Sequence, residues 1–259
     1  MINFTKMNGN GNDFVVINSI KSEVVISEEL IKRISCRKNG IGFDQLILIS
    51  PPKNPTNHFL ITFFNSDGGK ALMCLNGIRC ASSYIWLNKF APKKEMLLET
   101  ENQVSRVKPM KDHYVEVVIN SPQNFKNSNL LSSLSKQIDK PFSLVDSGNL
   151  HLCVEVGSFN EINLDDIYKK IESLIKPYQI NVSTYIKGSK EIEISTYENG
   201  VGRTLSCGSA SASVAFLNLN NNDSLKVTSE GGTLNFLKAD GKLIMTGPTK
   251  LDFNGVINE

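Results

Sequence analysis

Met73-Cys74-Leu75-Asn76-Gly77 and Ser206-Cys207-Gly208-Ser209-Ala210 decide how this chain is read. Each sets a cysteine at the mouth of a small-residue stretch that predicts the start of a helix. A thiol there faces unpaired backbone N–H groups and the positive end of the helix dipole, and both favour thiolate. One such thiol comes from each half of the chain. Together they suit a reaction in which a proton leaves one face of a carbon and another arrives on the opposite face. That is racemisation without a cofactor.

The elements around the two cysteines repeat a plan. In the first half, residues 13–17, 45–49 and 59–64 are β-rich runs bounded by Gly, Asn, Ser and Pro. Ser27, followed by Glu28 and Glu29, starts a helix with a capping hydroxyl and early acids. After Cys74, the residues Ile78, Ala81, Ser82, Ile85 and Trp86 recur at helical spacing. Strand-like runs follow at 96–100, 104–107 and 114–119.

In the second half, 152–156 reads as a strand and 164–175 as an amphipathic helix through Ile167, Ile171, Leu174 and Ile175. Residues 191–195 alternate charged and apolar, so they predict a half-buried strand whose Glu191 and Glu193 face solvent. A glycine-rich turn leads to Cys207 and a helix over 210–217. The polar loop 218–223 precedes short strands with turns at Gly231-Gly232 and Asp240-Gly241. This coarse duplication predicts an α+β fold of two similar, pseudo-symmetric lobes. In each, mixed strands surround a central helix, and the active site lies in the cleft between lobes. Residues 1–120 form the expected N-terminal lobe with Cys74, and 121–249 the C-terminal lobe with Cys207. The stretch 121–140, rich in Ser, Asn and Lys, reads as the linker.

Bulk properties narrow the function. The 259 residues are 40% hydrophobic and 21% charged, with formal net charge +2 and scattered lysines. That argues against nucleic acid or a membrane surface as partner. No apolar run would span a bilayer, and residues 1–12 lack a signal-peptide core. Five cysteines, odd in number and dispersed, suit the reducing cytoplasm better than a disulfide framework. With three histidines and no Cys-x-x-Cys, neither a metal site nor a cofactor is expected. The expected partner is a small-molecule amino-acid substrate, and a homodimer stays open.

An amino-acid α-hydrogen is a very weak acid. Without a cofactor, the developing charge must be met by electrostatics, as helix N-termini aimed at the α-carboxylate would do. The backbone N–H groups of Leu75, Asn76, Gly208 and Ser209 are the natural donors.

At this point the chain resembles a known family. Phe4-Thr5-Lys6-Met7-Asn8-Gly9-Asn10-Gly11-Asn12-Asp13-Phe14 is similar to the opening signature of diaminopimelate epimerases. Gly40-Ile41-Gly42-Phe43-Asp44-Gln45, Asn65-Ser66-Asp67-Gly68 and the Cys74 motif through Cys80 follow in order. Ser147-Gly148-Asn149-Leu150-His151, Tyr197-Glu198-Asn199-Gly200-Val201-Gly202, the Cys207 motif and Thr246-Gly247-Pro248 complete the series. The resemblance implies interconversion of LL- and meso-diaminopimelate in lysine and cell-wall precursor synthesis, with no cofactor. By motif, Cys74 and Cys207 are the acid–base pair, and His151 and Glu198 tune them. Asn12, Gln45, Asn65, Asn149 and Asn181 match positions that hold the substrate, mostly at its non-reacting end. The resemblance also implies a two-lobed α+β fold whose last residues, 250–259, return to the first lobe.

Four departures bear on specificity. Asn199 stands where the family has an arginine that looks like a clamp on the distal carboxylate. A neutral amide forfeits a charge-assisted bidentate pair of about 1.5–3 kcal/mol. Arg203, nearby, is expected to swing into its place. Leu75 replaces a glycine after the first cysteine, Leu150 a proline, and Asn8 a histidine. Racemisation of another amino acid, or amino-acid binding without catalysis, are therefore alternatives. A hydrolase with Cys207 as nucleophile and His151 as base would leave Cys74 idle. Cys36, Cys80 and Cys153 are expected to be packing residues.

Overall fold

The computed structural model describes every residue except Leu72, Asn120, Ser121, Asn222 and Glu259. The expected linker and C-terminal lobe begin on Ser121, the polar loop contains Asn222 and the tail ends on Glu259, so these positions fall outside the described residues. The chain separates into two compact units, 1–118 with 246–259, and 119–245. Residues 246–249, placed by sequence in the C-terminal lobe, belong to the first unit.

In the first unit, β1 (Ile2–Gly9) and β2 (Asn12–Asn18) form a hairpin. Its two-residue turn is Asn10-Gly11, both at positive φ (61° and 84°). Asn-Gly is the pair that a primed hairpin turn selects, and Asn8 Oδ1 accepts the Gly11 N–H at 3.0 Å. Helix α1 (Glu28–Ser35) carries the chain to β3 (Gln45–Ser50), which is parallel to β2. The Ser27 hydroxyl accepts the Leu30 N–H, the expected cap. β4 (Phe59–Asn65) returns antiparallel to β3, and the short β5 (Lys70–Ala71) pairs with β4. Helix α2 (Leu75–Leu87) then crosses over to β6 (Met96–Glu99), parallel to β4, and β7 (Val104–Pro109) and β8 (Tyr114–Ile119) follow.

The second unit runs the same course. The short β9 (Gln123–Asn124), helix α3 (Ser128–Ser135) and β10 (Phe142–Asp146) come first. β10 is antiparallel to β11 (Leu150–Glu155), and α4 (Leu164–Ile175) crosses to β12 (Asn181–Lys187), parallel to β11. β13 (Glu191–Glu198) and β14 (Gly202–Thr204) turn back, and α5 (Gly208–Asn218) crosses to β15 (Ser224–Ser229), parallel to β13. β16 (Gly232–Ala239) completes it with the first residues of β17 (Lys242–Pro248), whose last three belong to the first unit. Finally β18 (Lys250–Ile257) pairs with β1, as β9 pairs with β10.

The expected duplication therefore holds at the level of topology. Hairpin, outer-helix crossover, antiparallel return, short strand and inner-helix crossover occur in each unit. Both inner helices are buried nearly all round, which explains their small residues. In α2, Gly77, Ala81, Ser82 and Ser83 are buried, and in α5, Ala210, Ser211, Ala212 and Ser213.

Residues 121–140 correct the sequence reading. Leu130, Leu134 and Ile138 are 5%, 0% and 5% exposed, within the core packed by α4. Leu130 and Leu134, four apart in a polar context, give the helix one buried face, Ile138 packs just beyond its end, and Asn127 caps its start by accepting the Leu130 N–H. Sequence reasoning also missed β1, β12 and β18 as strands.

Candidate functional site

In the first unit the site grows from the N-terminus of α2. Cys74 is its N-cap residue, in extended conformation, and Sγ accepts the Gly77 N–H at 3.4 Å. The sulfur also lies 3.6 Å from Asn12 Oδ1. Asn12 has its amide oriented from behind, because Nδ2 donates to Asp44 Oδ2 at 2.6 Å. Asp44 Oδ2 also takes the Asp13 N–H at 3.0 Å, and its other oxygen takes an Arg37 N–H at 2.7 Å. Asp13 is bound by Arg37 and by the buried Lys6, whose ammonium also donates to the Gly42 carbonyl. Burial works to raise the Asp13 carboxyl, but hydrogen bonds from Arg37 and Lys6 outweigh it and hold it well below the usual carboxylate range. Arg37 is held above its ordinary value by the same Asp13 contact.

The register of β3 on β4 sets Gln45 directly opposite Asn65. Gln45 Nε2 donates to Asn65 Oδ1 at 2.9 Å, and its buried Oε1 has no hydrogen-bond partner among the described residues. Leu75 and Asn76, the first residues of α2, are buried. Arg79, 0% exposed, donates to Asn76 Oδ1 at 2.9 Å. Burial lowers Arg79 to about 10, offset in part by the neighbouring Cys80 and Cys74 sulfurs.

In the second unit, Cys207 is the N-cap of α5 and is 8% exposed. Its Sγ lies 3.3 Å from Ser209 Oγ, and that oxygen lies 3.0 Å from His151 Nε2. His151 is fully buried, and burial alone lowers it to about 3, so the ring is neutral at physiological pH. The Ser209 hydroxyl thus lies between the ring and the sulfur. His151 pairs with Asn181 across β11 and β12. Asn181 Oδ1 accepts the Asn199 N–H at 2.9 Å. Glu198 accepts the Thr204 hydroxyl at 2.7 Å. Asn149 sits exposed in the turn before β11, after Gly148 at φ 94°. Gly208 and Ser209 open α5.

Topology makes these two sets equivalent. Gln45 and Asn65 open β3 and close β4, while Asn181 and Glu198 open β12 and close β13. Asn12 and Asn149 enter β2 and β11, and each cysteine caps the inner helix. Each unit thus carries amides at the strand ends near its capping cysteine, and in the second Glu198 takes the place that Asn65 holds in the first.

A protein-family model described as diaminopimelate epimerase matches residues 4–123. The chain is 35% identical to a diaminopimelate epimerase of Buchnera aphidicola subsp. Acyrthosiphon pisum (strain 5A), over 99% of this chain and 96% of that one. It is 31% identical to that of Blochmanniella pennsylvanica (strain BPEN), over 98% and 99%. The chain belongs to the diaminopimelate epimerase family. It is an isomerase. The fold is also that of a probable proline racemase from Agrobacterium radiobacter, with TM-score 0.72 and 15% identity over 100% and 93% of the two chains.

Within this family member, the distal positions differ from expectation. Asn199 Oδ1 accepts the Tyr168 hydroxyl at 3.0 Å, and Tyr168 stacks on Tyr197 with ring centroids 3.9 Å apart. Arg203, expected to move into the family arginine's place, is paired through Nε with Asp165 Oδ2 at 2.7 Å. Cys80 and Cys153 are fully buried, and burial pushes Cys153 up to about 12 and Cys80 higher still. Cys36 corrects the packing expectation: it is exposed, because it lies at the C-terminal cap of α1, past the helix's buried face. Sequence reasoning missed Asp44, Arg37 and Tyr168. Asp44 adjoins Gln45 in a quoted motif, which was the available signal; Tyr168 carried none.

No helix among the described residues is long and apolar enough to cross a membrane.

Proposed function

We propose that this isomerase interconverts LL- and meso-diaminopimelate, in lysine and peptidoglycan precursor synthesis in the cytoplasm. Cys74 and Cys207 act on opposite faces of the α-carbon. One sulfur, as thiolate, takes the α-hydrogen, so the C–H bond breaks and its electron pair is shared with the carboxylate. The other, as thiol, returns its own proton to the opposite face. The pair is then left in the reverse protonation state, ready for the opposite isomer. The observation that carries this reading is that each cysteine caps the inner helix of its unit at equivalent positions. N–H groups of Leu75, Asn76, Gly208 and Ser209 meet the charge that grows on the carboxylate. The buried Gln45 Oε1 fits an ammonium at the non-reacting end.

A second reading, racemisation of an amino acid without a distal carboxylate, is favoured by the neutral Asn199 and the engagement of Arg203 by Asp165. The experiment is incubation of LL-diaminopimelate and a panel of L-amino acids in D2O, with Cys74→Ser and Cys207→Ser as controls. Cysteine-dependent α-deuteration of diaminopimelate is expected. Faster exchange of a monocarboxylate amino acid selects the second reading, and no exchange with any substrate rejects both.

A further inference from the structure

We propose that the Ser209 side chain is a positioning residue through which neutral His151 donates, favouring thiolate at Cys207. Its hydroxyl sits between the two, 3.3 Å from Sγ and 3.0 Å from Nε2. Such a chain can point either way. In one direction His151 Nε2–H donates to Ser209, whose hydroxyl proton is then directed at the sulfur. In the other, the thiol donates to Ser209 and Ser209 donates to an unprotonated Nε2.

The far side of the ring decides. His151 is 0% exposed, and Nδ1 has no hydrogen-bond partner among the described residues. The second direction requires the proton on Nδ1, leaving a buried N–H unmet. The first leaves only a bare lone pair there, and orphaned buried N–H groups are the rarer of the two. The proton therefore belongs on Nε2, and the hydrogen bonds run from ring to hydroxyl to sulfur. Position agrees with this role, because Ser209 follows directly on the first residue of α5 and its backbone carbonyl is fixed by the Ser147 and Ser213 hydroxyls.

By strand alternation, the other ionisable groups on the α5 side are Cys153 and Glu155 on β11, Tyr185 and the exposed Lys187 on β12, Glu198 on β13 and Lys238 on β16. Burial keeps Cys153 and Tyr185 protonated near neutral pH. Glu155 accepts from Tyr185, Glu198 from Thr204, and Lys238 lies over the Phe216 ring. His151 faces Ser209 itself, with Nε2 3.0 Å from the hydroxyl.

The inference concerns a thiol of the proposed epimerase and rests on that reading for its meaning, but its test needs no substrate. The pH dependence of iodoacetamide alkylation is followed separately at Cys207 and Cys74 by peptide mass spectrometry on the intact protein. Ser209→Ala is expected to raise the Cys207 midpoint by about one pH unit, roughly a tenfold slower labelling at pH 7. Ser209→Thr restores it, and the Cys74 profile stays in place. If Ser209→Ala leaves the Cys207 midpoint unchanged or lowers it, the donor chain is wrong. Should that variant disturb the helix start, as movement at Cys74 would reveal, a His151 pair decides. His151→Leu must raise the Cys207 midpoint, while His151→Gln, which keeps a donor near Nε2, must not. Equal behaviour of the two overturns the proposal.

Discussion

Replacing Gly77 by alanine sets helix propensity against packing, and packing should win. Gly77 is in the first turn of α2, and on propensity alone an alanine there gains up to about 1 kcal/mol. A Cβ at this position, however, would lie 2.5 Å from Phe63 Cε1 and 3.3 Å from Phe14 Cε1. Carbon atoms pack at about 3.5–4.0 Å, so something must move by about 1 Å. Neither ring can yield easily, since Phe63 and Phe14 are 1% and 0% exposed. Overpacking of this kind costs about 1–3 kcal/mol, so even against the full propensity gain the net loss reaches about 2 kcal/mol. For a protein of this size the melting temperature should fall by up to roughly 8 °C. The displaced element is the helix start itself, and the Gly77 N–H is the donor to Cys74 Sγ. A shift of about 1 Å there should cost ten- to a hundredfold in turnover. Thermal unfolding and the rate of α-deuteration in D2O read the two effects. A Gly77→Ala protein that melts higher than its parent and exchanges at the parental rate would refute the reasoning.

Three further outcomes follow from the same geometry. His151 stays neutral down to about pH 3 when folded but takes its proton near 6.5 when unfolded. The unfolded state then binds more protons in that window, so stability is full above about pH 6.5 and falls by ~1.4 kcal/mol per unit as pH drops. Urea unfolding at pH 7, 6 and 5 should show this slope in the parent and a flatter one in His151→Leu; equal slopes would contradict it. The exposed Arg203–Asp165 pair should contribute under about 1 kcal/mol, so Arg203→Ala should barely change the melting temperature and leave the KM for diaminopimelate within about twofold. A tenfold rise in KM would instead show that Arg203 does reach the substrate. Leu134→Ala, in the serine-rich stretch, should cost about 2–4 kcal/mol by denaturant unfolding, whereas a linker residue would cost almost nothing.

Sequence by itself determined the elements whose periodicity is local. The α1 cap at Ser27, the stripe of α4, the runs of β3 and β4 and both cysteine-led helices were legible because spacing and capping chemistry lie within a few residues. The ordered motifs likewise carried the family. Helix α3 escaped because three leucines among serines are few, and the burial of Leu130 and Leu134 depends on a core supplied by distant residues. What only the tertiary structure decided is which side chains meet. Strand register places Gln45 against Asn65, and hydrogen bonding through Asp44 turns the Asn12 oxygen toward Cys74. The Ser209 hydroxyl lies between His151 and Cys207, and Tyr168 holds the amide that replaces an arginine. The physical reason is reach: a hydrogen bond is made or lost over about half an ångström. Partners tens of residues apart come within that margin only through the packing and pairing of the elements that carry them.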